Sequence, residues 1–413
     1  MKRCTKSLTL SKPGGEVYKD IPQPIANQHS VATSSTDTGQ QLLPSYLPEL
    51  DGLRACAVIA VLGFHAGLPG FRYGWVGLNL FFVLSGFLIT GILLDAKNTC
   101  EGWGYFRAFY ARRTLRIFPI YYASLLLVSV FALIYQAPRK DFLYYLIYTQ
   151  NFVIGRTDFA PSFLGMMNHT WSLAVEEQFY LCWPFVVYFL RRQMVFLCLS
   201  FLAVAPAFRW YIASGFQING LVFTLLPGNL DSLGAGALLA VIIRQIRSPK
   251  MISDIFLLIT SLAGLAIISF GFTFGYPPSG LFLSMAGQLL YSLLPYLFAG
   301  CLIVPILHTN YAIEKIAAFL RLDPLRYIGK ISYGLYLYHL PVYFACSAIL
   351  PHLVPHDTYG KLATASLVFS KLLLTFLVSL ISWHFFESRI NSLKVYFSYS
   401  RGPYGKVSDA RAD

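Results

Sequence analysis

Charge is scarce in this sequence. Asp, Glu, Lys and Arg make up 12% of its 413 residues, against roughly 25% in a soluble domain. A water-soluble fold of this length needs a charged coat, and these residues are too few to supply one. Lipid must therefore cover much of the surface. Acidic residues are the scarcer kind, 19 against 32 basic ones, for a formal net charge of +13. The basic excess sits in particular short loops, as the positive-inside rule requires, and indicates no nucleic-acid partner. An anionic ligand at the cytoplasmic face is the second use such loops can have. Cysteines number seven (Cys4, Cys56, Cys100, Cys182, Cys198, Cys301 and Cys346), with no CxxC and no Cys/His cluster at metal spacing. They read as small apolar packers, so neither a disulfide framework nor a metal site is expected. The opening MKRCTKSL is basic but precedes no apolar run, so it is not a secretory signal.

What is present is apolar. Hydrophobic residues make up 56% and aromatics 16%, and Trp and Tyr favour the headgroup level of a bilayer. Residues 1–46 are polar and aperiodic, the pattern of a disordered tail. Residues 47–390 form one membrane domain, and 391–413 a short, polar, basic C-terminal tail. Ten stretches are long enough to span, near 53–69, 76–94, 116–135, 171–190, 195–213, 222–243, 254–274, 284–307, 331–350 and 363–386. The apolar segment 142–154 is too short and reads as re-entrant or interfacial. One set of loops carries Arg107, Arg112, Arg113 and Arg116, then Arg191 and Arg192, then Arg244, Arg247 and Lys250, then Lys315, Arg321, Arg326 and Lys330. The alternate loops hold little charge, and 136–170 is mixed. The basic set is therefore cytoplasmic, and the expected fold is an all-α bundle of about ten spans with both termini cytoplasmic.

Ionisable groups inside a span are costly and mark function. In LDGLRACAVIAVLGFHAG, Arg54 and His65 are eleven residues apart. That is about 1100° of helix rotation, which puts them on one face roughly 16 Å apart along the axis. A cation at the inner mouth and a base further along suit a long anionic donor whose reactive end reaches midway. The competing reading has Arg54 snorkelling and His65 bonding a neighbouring helix. Asn79, in GWVGLNLFFVLSGFLIT, falls near the depth of His65 and can orient an imidazole. Ser85–Gly86 marks a close approach between helices. For Asn79 a simple interhelical hydrogen bond is the competing reading. In FYARRTLRIFPIYY, Arg112, Arg113 and Arg116 can hold phosphates, with 112 and 116 on one helical face. Topogenic charge accounts for them equally well. Glu176 and Glu177, in TWSLAVEEQFYLCWPF, point about 100° apart. One can hold the second nitrogen of His65, and the other is expected to pair with a cation such as Arg209. A structural salt bridge is the alternative. Asp231, His339 and Glu387 read as structural.

These stretches, together with SYGLYLYHLP and in this order, resemble acyltransferase family 3, membrane proteins, mostly bacterial, that O-acylate glycans and some other molecules. The resemblance runs through most of 48–390. It implies ten helices, a multi-pass place in the bacterial inner membrane, and acyl-coenzyme A, usually acetyl-CoA, as the donor. Acyl would pass to a hydroxyl of an extracytoplasmic glycan such as O-antigen, capsule or exopolysaccharide. The arginine and histidine tied to activity in the family fall on Arg54 and His65, its arginine pair on Arg112 and Arg113, and its glutamate pair on Glu176 and Glu177. Many members have Asp where this chain has Asn79. If His65 needs a carboxylate, the load moves to Glu176 or Glu177. The sequence ends at 413 without the esterase-like domain of some members, so transfer is expected to finish within the membrane domain. In this reading His65 is either the general base or the carrier of the acyl group. A glycan or lipid-intermediate transporter without chemistry is the main rival, though no related halves with matching broken helices are visible. A regulatory or scaffolding membrane protein would leave the Arg54/His65 stripe without a purpose.

Overall fold

The computed structural model describes residues 46–100, 102–134, 141–159, 163–216, 218–245, 248–274, 284–307, 311–353 and 361–399. The expected N-terminal tail, except Tyr46, lies outside these residues. The described residues are helical, with no strand among them. The long helices are α1 (Pro48–Ala66), α2 (Gly77–Thr99), α3 (Trp103–Ile134), α6 (Trp171–Phe189) and α7 (Met194–Phe216). They continue with α9 (Leu230–Gln245), α10 (Pro249–Phe274), α11 (Met285–Leu307), α14 (Ser332–Leu353) and α15 (Lys361–Ser382). Short helices fill the connections: α4 (Phe142–Leu146), α5 (Gln150–Arg156), α8 (Asn219–Thr224), α12 (Tyr311–Leu320), α13 (Asp323–Lys330) and α16 (Ser388–Ser392). The apolar segment 142–154 is thus two short helices, α4 and α5, and not a span.

Seven of the described helices are long and apolar enough to cross a membrane. The stretches expected near 53–69, 171–190 and 331–350 form helices but are not among the seven. They are α1, α6 and α14, the helices that carry Arg54 and His65, Glu176 and Glu177, and His339. Their polar content lowers their hydropathy, and their neighbours in the bundle cover it. The lipid-type faces lie elsewhere. On α15, Phe369, Leu373, Leu377 and Ile381 recur every fourth residue and are exposed, and on α10 Leu258, Leu262 and Leu265, spaced by four and then three, are exposed too. Such stripes need hydrocarbon against them.

Helix α1 begins at Pro48 with Glu49 and Asp51 in its first turn, which suits a helix start. It stops at Gly67, whose φ of 72° lets its N–H return to the Gly63 and Phe64 carbonyls. Its first turns are pinned by Arg321, which donates to Glu49 at 2.6 Å, and by the close approach of Gly52 to the Leu320 backbone. Of the expected C-terminal tail, 391–413, residues 391–399 are described and 400–413 lie outside the described residues. Arg112 of α3 donates to the carbonyls of Lys394 and Phe397, and its guanidinium lies 5.7 Å from the Tyr399 ring centre.

A close, reciprocal crossing joins α2 to α9. A Cβ on Gly86 would stand 2.0 Å from the Leu233 carbonyl oxygen, and one on Gly236 would stand 2.0 Å from that of Val83. Each glycine makes room for the other helix's backbone, the small-residue packing that membrane bundles favour. Because the obstacle is backbone, Gly86→Ala and Gly236→Ala should each lower the amount of folded protein, and Gly86→Leu should abolish it. Membrane abundance and the monodisperse fraction after detergent extraction measure this.

Candidate active site

A pocket of about 710 Å³, open space at its mouth included, lies between α1, α2, α3, α6 and α14. Arg54, Arg113 and Arg116 line it, together with Ser85, Glu176 and Tyr180. Arg113 and Arg116, three residues apart, share the face of α3 that turns inward. Arg112 points to the C-terminal segment instead, so of the three arginines expected to hold phosphates, 113 and 116 line the pocket and 112 does not. The Arg113 guanidinium lies 5.2 Å from the Tyr180 ring, and Arg54 stands 3.6 Å from Asp51, one turn earlier.

Glu176 is the carboxylate of this pocket. Ser85 Oγ donates to its Oε1 at 2.9 Å, and the Tyr180 hydroxyl stands 3.0 Å from its Oε2 and from Ser85 Oγ. Glu177, next along the helix, does not line the pocket. Its Oε1 is buried without a hydrogen-bond partner among the described residues. The two carboxylates diverge as adjacent helical residues must. Neither of them bonds His65.

His65 lies near the far end of α1, half-buried. Its Nδ1 is 3.0 Å from the Val61 carbonyl and 3.3 Å from Nε2 of His339. The partner of His65 is thus another imidazole from α14, not the carboxylate expected from Glu176 or Glu177. The physical reason is position: Glu176 faces the pocket lined by Arg54, Arg113 and Arg116, and not His65. Asn79 is also engaged elsewhere, donating to Ser232 at 3.2 Å in the buried α2–α9 contact. His169 adds a third ring, 4.7 Å from that of His339. Tyr336 lines the pocket and packs 5.6 Å from the His339 ring, so it stands between the two polar centres.

The structure thus joins Arg54, Arg113, Arg116 and Glu176 in one pocket, places His65 beyond it, and sets Arg112, Asn79 and Glu177 apart. His169 and Tyr336 were not singled out from sequence, although the NHTWS stretch and the SYGLYLYHLP motif contain them. Among the described residues no group of His, Cys, Asp and Glu is fit to hold a metal ion.

Arg209 pairs with neither glutamate. It meets Asp231 at 2.7 Å, with both side chains almost fully buried. It also donates to the Gly228 carbonyl and to Ser292.

The chain matches the family model described as an acyltransferase domain over residues 47–384. It is 29% identical over 395 residues to the peptidoglycan O-acetyltransferase OatA of Listeria monocytogenes, covering 87% of this chain and 60% of that one. Its identity to the O-acetyltransferase OatA of Staphylococcus aureus is 29% over 367 residues, 84% of this chain and 57% of that one. Bacillus subtilis has a putative peptidoglycan O-acetyltransferase, YrhL, that is 29% identical over 378 residues, 86% of this chain and 56% of its own. The chain spans less than two thirds of the length of each of these relatives. No solved structure matches it.

The buried Arg209–Asp231 pair makes a prediction of its own. Removing one partner strands a charge, at a cost of about 3–5 kcal/mol, whereas replacing both restores neutrality. Asp231→Asn and Arg209→Leu should each lower the thermal midpoint in detergent more than the double variant Arg209→Leu/Asp231→Leu does.

Proposed function

The chain belongs to acyltransferase family 3, and from that premise we propose that it is an integral-membrane O-acyltransferase that carries an acyl group from a cytoplasmic donor to a hydroxyl outside. The observation that carries this reading is the division of α1: Arg54 enters an arginine-lined pocket, and His65, eleven residues on, meets His339 beyond it. One helix therefore joins an anion-holding cradle to a base.

The chemistry of the cradle fits acyl-coenzyme A. Arg113 and Arg116 can hold its phosphates through charge-assisted, bidentate bonds, and Arg54 lines the same pocket. Glu176, locked to Ser85 and Tyr180, keeps three arginines from facing one another unbalanced. The thioester end of the donor then passes Tyr336 toward His65. There His65 either takes the proton of the acceptor hydroxyl or takes the acyl group and hands it on.

The donor is acetyl-CoA in this reading, as befits relatives described as O-acetyltransferases. The acceptor is a surface glycan, with peptidoglycan the first to examine, since two of the relatives carry it in their names. The protein is multi-pass in a bacterial cytoplasmic membrane, with ten crossings and both termini inside. In that topology α1, α6 and α14 also cross, their polar faces covered by the bundle. A reporter that fluoresces only in the cytoplasm should be active at the C-terminus, and a phosphatase active only outside should be active when fused within 275–283.

The central test compares glycan from cells with wild-type protein, with His65→Ala and with none. An alkali-labile acyl ester present only with wild type is the expected result. An ester kept in His65→Ala cells excludes a His65-centred transfer, and no ester in any sample favours transport without chemistry. In the purified protein, Arg113→Gln and Arg116→Gln should each raise KM for acetyl-CoA about 10- to 100-fold, with a smaller change in kcat, since each removes a charge-assisted bond.

A further inference from the structure

The contact between His65 and His339 defines where the protons sit. Nδ1 of His65 has two neighbours, the Val61 carbonyl at 3.0 Å and Nε2 of His339 at 3.3 Å. A carbonyl only accepts, so this nitrogen carries the ring's proton. Nδ1 of His339 lies 2.6 Å from the Tyr336 carbonyl and is protonated for the same reason. Nε2 of His339 is therefore a lone pair that receives the Nδ1–H of His65. That leaves Nε2 of His65 with its own lone pair available for chemistry.

The third ring continues the pattern. His169 sets Nε2 3.1 Å from the Leu337 carbonyl, so it donates there. Its Nδ1 is buried and has no partner among the described residues. The rings of His169 and His339 stand at 68° to one another, and His339 is 0% and His169 4% exposed. No carboxylate bonds any of the three rings among the described residues. A cluster of three imidazoles, two of them buried, thus stands where a histidine–carboxylate pair was expected.

We propose that His339 is the positioning residue for His65, holding its tautomer and sharing the positive charge that arises when Nε2 of His65 gains a bond. This rests on the reading of His65 as the group that handles the acyl transfer. Whether Nε2 bonds to the hydroxyl proton or to the acyl carbon, the ring becomes cationic. Its Nδ1 proton can then move to Nε2 of His339, whose own Nδ1–H stays on the Tyr336 carbonyl. The Val61 carbonyl can orient His65 but cannot take that proton. Over the whole reaction the thioester C–S bond breaks, the ester C–O bond forms, and the hydroxyl proton leaves with the thiol.

The test uses the full chain with His339→Leu, which cannot accept a hydrogen bond, and His339→Gln, which accepts one but cannot take the proton. Two quantities are read at matched protein level: the glycan ester in cells, and the rate at which diethyl pyrocarbonate modifies His65 in detergent-purified protein, resolved by peptide mass spectrometry. His339→Leu should lower both by about 10-fold or more, the usual effect of losing the group behind a working imidazole. His339→Gln should restore much of the modification rate while ester formation stays low. An unchanged modification rate in His339→Leu overturns the positioning role, whatever the ester does. If His339→Leu does not accumulate, wild-type ester levels in His339→Gln overturn the proton sharing. An ester that persists in His65→Ala cells overturns the reading of His65 itself, a failure separate from that of the pair.

Discussion

A charge inside a lipid-covered bundle has no water to turn to, so an ionised side chain there needs a partner from the protein, most often from another helix. The arrangement of this protein follows from that need. Arg209 of α7 is almost fully buried and is met by Asp231 of α9, a backbone carbonyl and a serine. Glu49, buried at the start of α1, is met by Arg321 just beyond α12. Glu176 draws a serine from α2 and a tyrosine from its own helix. These bonds fix which helices are neighbours and at what depth.

Partnering at that precision requires the helices to come close, and glycine makes it possible. The reciprocal contact of Gly86 and Gly236 brings the α2 and α9 backbones together. About two turns before Gly86, Asn79 of α2 reaches Ser232 of α9. At the start of α1, Gly52 and Gly329 let the helix sit against α12 and α13, with a Cβ on Gly329 reaching to 1.9 Å of the Asp51 carbonyl. Arg54, three residues after Asp51, thereby enters the pocket at a fixed height.

The two polar centres on α1 follow opposite electrostatic rules. The pocket concentrates positive charge around a single carboxylate and suits a polyanion. The far centre holds three imidazoles, each bonded to a backbone carbonyl and two of them to each other, an environment in which a proton can move without leaving a bare ion. Tyr336 touches both, lining the pocket and packing on His339. A donor anchored in the first centre would present its reactive end at the second.

Much of this was legible in the one-dimensional pattern. The scarcity of charge, the long apolar runs and the basic loops follow from composition and order, and seven of the runs are helices able to cross a membrane. The eleven-residue spacing of Arg54 and His65 is a property of one helix, so its shared face could be read directly. The divergence of Glu176 and Glu177 was equally local. What the sequence could not contain was the rotation and depth of each helix against its neighbours. Those choose His339 over Glu176, Glu177 or Asn79 as the partner of His65, Asp231 over a glutamate for Arg209, and Arg113 over Arg112 for the pocket. Periodicity determines which residues share a face, but only helix packing, fixed here by backbone-to-backbone contact at glycines and by pairing of buried charge, decides what that face meets.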